Sequence, residues 1–393
     1  MKYFTSNSAV LWYSFKRELR CIFKSRIFIT LLLLLPLGLF TFFCYFYSRG
    51  TLSELDVAVY DADNSELSRT IVRAIDVSKT MRISGYLKSI DEIETGIQHN
   101  AYNAVFYIPD NFEKNIKTQH AVTIQFYKNS HNTLIASALY KDALQVVKSI
   151  NAGIIIKKLR ASSLNSDQAK AIVQPVIMDT HYIGNPPFNY NNFLSPAYIY
   201  VCCQIILMLA GMFSITHEID DKRYTRIIES AYNFTGALII GKAVAILLVF
   251  GAVIAFLHLL LFPLFNITIH CSLVNFIMYT FLFLASSLLP GMAIGAFVKE
   301  AFLATEVIIF VNMPSLLVSG YTFPSVPTIF ADIANILPFV HFMHIFIKSA
   351  QLGASIDFIH KELLSLGILF SIFFIFSWIF VFRLSKSIEK AGA

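Results

Sequence analysis

The stretch TGALIIGKAVAILLVFGAVIAFLHLLLF (235–262) is where the reading of the fold is decided. Its opening, from Gly236 to Lys242, has the glycine and lysine spacing of a phosphate-binding loop, and its remainder is an apolar run. A phosphate loop works because glycines let backbone N–H groups close around phosphates, lysine reaches the outer phosphates, and a Ser or Thr hydroxyl holds Mg²⁺. Here that last position is Ala243. The residues that follow are enough to cross a bilayer, which takes roughly 20 apolar residues. A motif counts only in its structural context, so the stretch reads as the start of a membrane helix and not as a nucleotide site.

Composition extends that reading to the whole chain. Of 393 residues, 56% are hydrophobic and 14% charged, against about 25% charged in soluble domains. The mean hydropathy is +0.62. The 37 Phe and 18 Tyr suit lipid and its interfaces. The net charge of +6 is unevenly placed and speaks to orientation. No basic patch interleaved with stacking aromatics lies outside the membrane flanks, so membrane lipid is an expected partner and nucleic acid is not. Cys21, Cys44, Cys202, Cys203 and Cys271 all fall in or beside apolar runs, with neither a disulfide framework nor a zinc spacing.

Six runs reach spanning length, near 27–47, 195–216, 240–262, 273–298, 301–319 and 363–382. The first lacks a small-residue cleavage site and reads as a retained anchor. Lys2, Lys16, Arg17, Arg20, Lys24 and Arg26 precede it against the single acid Glu18, which puts the N-terminus in the cytoplasm. Alternation then places 217–236 and the tail at 384–393 inside, and 48–192 outside. Leu11, Phe15, Leu19 and Ile22 recur at helical spacing with Arg17, Arg20 and Lys24 on another face. That pattern predicts a helix in residues 1–26 lying in the headgroup plane before the first span.

The fold class expected is an α-helical polytopic membrane protein of six transmembrane helices with an inserted extracytoplasmic α/β domain at 48–192. In that insert DVAVY (56–60), MRISGYL (81–87), NAVFYI (103–108) and VTIQFY (122–127) read as strands. SELSRTIVRAID, SIDEIETGIQ and residues 133–160 read as helices. Neither a metal-ligand cluster nor a Ser/His/Asp set stands out, which favours a docking module over an enzyme.

A few polar residues sit inside the apolar runs. Glu306, in LATEVIIF, would cost about 2.5–3.5 kcal/mol if exposed to lipid near the midplane. It either pairs with Lys299 two turns earlier or lines a transport path. His341 and His344 are one turn apart but lack a third ligand. Met208, Met212 and Phe213 form a polarizable face that suits either bundle packing or a translocation path.

The chain resembles the ABC type-2 permease family, in the branch with a large extracytoplasmic domain between the first two spans. NYNNFLSPAYIYVCCQIILMLAGMFSITHEID (189–220), with Pro196, Glu218 and Asp221, is similar to that family's second span and its acidic end. LIIGKAV (238–244) resembles the Gly-Lys opening its third, and SGYTFPSVP (319–327) with ILPFVHFMH (336–344) its outer re-entrant element, taken here as 320–350. The resemblance implies a permease subunit of an ATP-binding cassette exporter in the bacterial inner membrane, with five spans in 193–383 and both termini cytoplasmic. ATP and Mg²⁺ then belong to a separate ATPase subunit and no cofactor to this chain. A second permease subunit, identical or paralogous, completes the path, and a periplasmic adaptor protein is a further expected partner. The resemblance also implies that the loop 217–236 docks on the ATPase through Glu218, Asp221, Arg223 and Arg226, although the Gly-Thr usual there is Tyr224-Thr225. An amphipathic or hydrophobic substrate, a drug or a lipid-like compound, is expected. The alternative is a membrane receptor or docking protein acting through its extracytoplasmic domain.

Overall fold

A computed structural model describes residues 6–48, 52–99, 101–118, 120–129, 133–161, 189–220, 234–321 and 328–392. The chain divides into two compact units, Met1–Gly50 with Tyr182–Ala393, and Thr51–His181.

Helix α1 (Asn7–Lys24) starts at Ser6, whose hydroxyl accepts from the Ala9 N–H and so satisfies one of the orphan donors of the first turn. It ends where Ser25 turns extended, and α2 (Arg26–Phe46) begins, the first of six helices among the described residues that are long and apolar enough to cross a membrane. The face that α1 buries only partly matches the one its periodicity suggests: Ile22 is buried and Leu11 and Leu19 pack half-buried against the core, but polar and charged residues are buried beside them. Val10, Ser14, Arg17, Glu18 and Ile22 are buried, whereas Trp12 and Phe23 are exposed. The helix packs on another helix, so its hidden face is chosen by fit and charge pairing.

The second unit is a four-stranded sheet of β1 (Leu55–Asp61), β2 (Met81–Tyr86), β3 (Ala104–Ile108) and β4 (Gln125–Lys128) in the order β2-β1-β3-β4. The first three are parallel and β4 is antiparallel to β3. Parallel neighbours require crossovers, supplied by α3 (Glu66–Asp76) and α4 (Asp91–Gln98). The two-residue period of a strand sends Val57 and Val59 to one face, with Ile71, Ile75, Phe106 and Leu139. Ala58 and Val105 go to the other, with Ile93. The first face is closed by α3, by α5 (Phe112–Lys117), which composition alone did not indicate, and by α6 (Thr133–Ala161). β4 is shorter than its apolar run because Val122 and Ile124 pack into the core ahead of the ladder.

The other five membrane-length helices are α7 (Tyr190–Asp220), α8 (Thr235–Leu264), α9 (Leu273–Val298), α10 (Ala301–Val318) and, last in the chain, His360–Gly392. Several outrun the apolar segments that betray them. The first turns of α7 lie beyond its apolar core, where Asn191 donates to the Phe265 carbonyl at 2.7 Å and Ser195 to the Asn191 side chain at 2.6 Å. Glycines bring α7 and α9 into backbone contact: a Cβ on Gly295 would stand 2.8 Å from the Met212 carbonyl oxygen, and one on Gly291 would overlap that of Met208. Such small-residue seams are how membrane helices approach closely.

Between the last two long helices, α11 (Thr328–Ala334) and α12 (Pro338–Ile345), the latter continued by a wide turn at Phe346–Gln351, form a hairpin. We number the final helix α13. Pro324 and Pro327 lie outside the described residues; Pro338 opens α12, a position where its missing N–H costs nothing.

Candidate functional site

Gly241 and Lys242 fall in regular helix, so the glycine-lysine spacing forms no loop. Gly241 instead seats α1. A Cβ there would lie 2.6 Å from the Leu11 carbonyl oxygen and 2.8 Å from the Ser14 Cβ. With α1 this close, the next residue on α8 is sealed in. Lys242 is 0% exposed. Its ammonium donates to Glu18 Oε2 at 2.8 Å, Glu218 Oε1 at 2.6 Å and the Ser214 carbonyl at 2.8 Å. Arg17 pairs with the same Glu218 oxygen. Two cations and two carboxylates, all less than a tenth exposed, therefore join α1, α7 and α8.

Burying charges is costly unless each finds partners, and removing one partner strands the others. Here Lys242 has three acceptors for its three donors, the full complement of an ammonium. Glu218 is the last ionisable side chain of α7 described before the 221–233 segment, and Lys242 lies in the second turn of α8 after it. The cluster thus ties both stems of that segment to each other and to α1.

Of the four residues expected on an ATPase-facing loop, Glu218 is turned into the chain by Arg17 and Lys242. Asp221, Arg223 and Arg226 lie outside the described residues. Arg17 was grouped by periodicity with the solvated residues of α1 and is buried. The missed signal was depth: a lone acid among the basic residues of α1, an acid ending one span and a lysine opening the next are complementary charges at one level.

Met208 and Met212 are buried with Ala304 and Ile308 in the seam between α7 and α10, with Phe213 half-buried against them. Glu306 lies on the exposed side of α10. Beside the seam is an apolar cavity of about 380 Å³ lined by Met208, Ile294, Val311, Pro338 and Phe376 among others.

The seam also holds a polar thread absent from the sequence reading. Gln204 of α7 donates to Asn312 Oδ1 of α10 at 2.6 Å and accepts from the Phe339 N–H of α12 at 2.8 Å. The Asn312 amide donates to the Ile308 carbonyl at 2.7 Å and to Met208 Sδ at 3.1 Å. His341, weighed with His344 as a ligand pair, bonds instead to the Asn335 carbonyl at 2.8 Å. No cluster of three metal-ligating side chains occurs among the described residues.

Residues 24–379 match the family described as ABC-2 family transporter protein. The chain is also similar to proteins named probable multidrug ABC transporter permease YbhR from Escherichia coli K12 and from Escherichia coli O157:H7. Each is 23% identical over 361 residues, covering 90% of this chain and 93% of the relative.

Proposed function

The chain belongs to the ABC-2 family of transporter proteins, and from that premise we propose that it is the membrane-spanning permease subunit of an ATP-binding cassette exporter. ATP and Mg²⁺ act on a separate ATPase subunit, and a second permease subunit completes the path. The substrate is an amphipathic or hydrophobic compound of the drug or lipid-like class, in keeping with the word multidrug in the relatives' name. Both termini and the 217–236 connection face the cytoplasm of the inner membrane, and the α/β unit faces outward, where an adaptor protein would meet it.

The observation that carries this reading is the ion cluster. A loop that receives force must have stems that move together, and Glu218, Lys242, Arg17 and Glu18 bind α7, α8 and α1 into one lever. Asp221, Arg223 and Arg226 are the residues proposed to meet the ATPase, Glu218 acting behind them. Met208, Met212, Phe213 and Glu306 are proposed to border the path, since parting α7 from α10 would expose the two methionines. The outward sides of α10 and α13 carry large exposed apolar residues, including Phe302, Phe310, Leu364 and Trp378, which lipid or the second permease subunit would cover.

The test is reconstitution in inverted vesicles with the ATPase that co-purifies. Accumulation of an amphipathic dye should require ATP and both proteins, and reversing Asp221 and Arg226 should cut ATPase retention in a salt-dependent way. Transport driven by a proton gradient alone would overturn the proposal.

A further inference from the structure

The hairpin of α11 and α12 poses a problem that the exporter reading leaves open. Tyr321, seven positions before α11, and Gln351, at the end of the turn that follows α12, are both fastened to the start of α7. Tyr321 donates to the Phe193 carbonyl at 2.5 Å and stacks on the Phe193 ring, and Gln351 donates to the Asn192 carbonyl at 2.5 Å. The hairpin apex, the turn from Ala334 to Phe339, meets the same helix again where the Phe339 N–H donates to Gln204. Twelve residues of α7 separate Asn192 from Gln204, about 18 Å of helix at 1.5 Å per residue. The arm from Phe339 to Gln351 therefore lies along α7 and reaches to the middle of the span.

An apex at that depth carries backbone groups that hydrocarbon cannot solvate, and irregular backbone persists inside a membrane only where protein satisfies it. Two side chains do so. His341 closes the Asn335 carbonyl, and Gln204 closes the Phe339 N–H in the first turn of α12. The same Gln204 amide holds Asn312 of α10, and Asn312 has its own NH₂ engaged by Ile308 and Met208. Gln204 and Asn312 are both buried. One side chain thus ties the hairpin apex, α7 and α10 together.

We propose that Gln204 is a positioning residue for the outer gate: it holds the re-entrant apex in place, and Asn312 makes that hold respond to separation of α7 from α10. When α10 leaves α7, the Gln204 NH₂ loses its acceptor while its carbonyl still holds Phe339. The side chain is then anchored at one end only, and the hairpin gains freedom to swing. As a gate, the idea rests on the exporter reading; as a catch, it stands on the hydrogen bonds alone.

The test uses the full chain with its five cysteines replaced and Ala334, which is buried at the hairpin apex, changed to Cys as a reporter. A membrane-impermeant maleimide is added from the outer side. In the chain without partner or nucleotide the reporter should be protected. Gln204→Leu should raise its labelling rate on the order of tenfold or more, the scale of a buried donor losing its acceptor. Asn312→Leu, which spares the Phe339 bond, should raise it less. Gln204→Glu keeps a side-chain oxygen to accept from the Phe339 N–H and should restore protection to at least the level of Asn312→Leu. Adding the ATPase and a non-hydrolysable ATP analogue should increase labelling in the otherwise unchanged reporter chain and add little in Asn312→Leu. Equal labelling of the reporter chain and Gln204→Leu, both monodisperse, would overturn the catch, as would Gln204→Glu behaving like Gln204→Leu. A catch that passes these tests but ignores nucleotide would overturn the gate and count against the exporter reading, leaving the positioning role standing.

Discussion

Two regions of this protein use the same ion-pair chemistry in opposite surroundings. At the junction of α1, α7 and α8, Lys242 is fully buried between Glu18 and Glu218. In the α/β unit, Arg82 meets Asp56 at 2.6 Å with more than half of the arginine side chain in water, and Lys117 meets Glu113 at 2.6 Å in the same way. The distances are alike and the consequences are not. Exposed pairs are screened and typically contribute about 0–1 kcal/mol, whereas a buried group that loses its partner keeps a desolvated charge. The buried cluster can hold helices together under load, and the exposed pairs can only trim a surface.

The largest expected effect is at Lys242. Lys242→Met leaves Glu18 and Glu218 facing each other without their shared cation and should destabilise the helical unit by about 3–5 kcal/mol, read as a lowered unfolding midpoint in detergent. Pairing it with Glu18→Met, which leaves Arg17 with Glu218, should return most of that loss. A double variant that loses the sum of the two single losses would mean that the cluster's charges act independently, and the contrast with the exposed pairs would fail. If the cluster also transmits force, the double variant should recover stability but not transport.

A smaller effect is expected where the cluster is seated. Gly241→Leu drives a side chain into the Leu11 carbonyl and the Ser14 Cβ and should cost about 1–3 kcal/mol as overpacking does. Gly251→Leu, on the same helix with open space around its Cβ position, serves as the control and should change little. Similar losses at both glycines would show that the close approach of α1 is not what closes the cluster.

The smallest belongs to the exposed pair on α5. The hydrogen bond from Lys117 holds the Glu113 carboxyl below the ordinary carboxylate range. A depressed carboxylate adds stability that is present above its unfolded-state value and is lost as pH falls through its folded value. Glu113→Gln should therefore exchange backbone hydrogens in β3 slightly faster than the unaltered chain at neutral pH and match it in strong acid. A large loss at neutral pH would erase the distinction between the two regions.

Much of the fold was legible because it depends on local pattern. Apolar length marks a span without reference to its neighbours, and β-branched and aromatic runs marked β1, β2 and β3 to within a residue or two. The helix ends were less legible, since Asn191 and Ser195 extend α7 past its apolar core by bonds to Phe265 and within the turn. The site was less legible still. Leu11, Phe15, Leu19 and Ile22 suggested the hidden face of α1, yet Ser14, Arg17 and Glu18 are the residues that Gly241 and Lys242 draw inward.

Local pattern alone marks a polytopic membrane protein and puts Gly241 and Lys242 in a helix and not in a phosphate loop, because hydrophobic length and periodicity are properties of a segment alone. Which charges face each other was decided only by tertiary structure. Glu18 is separated from Lys242 by 224 positions, and Gln204 from Phe339 by 135. A buried polar group is tolerated only where its partner is, and no single segment records where that partner will be once the helices have packed.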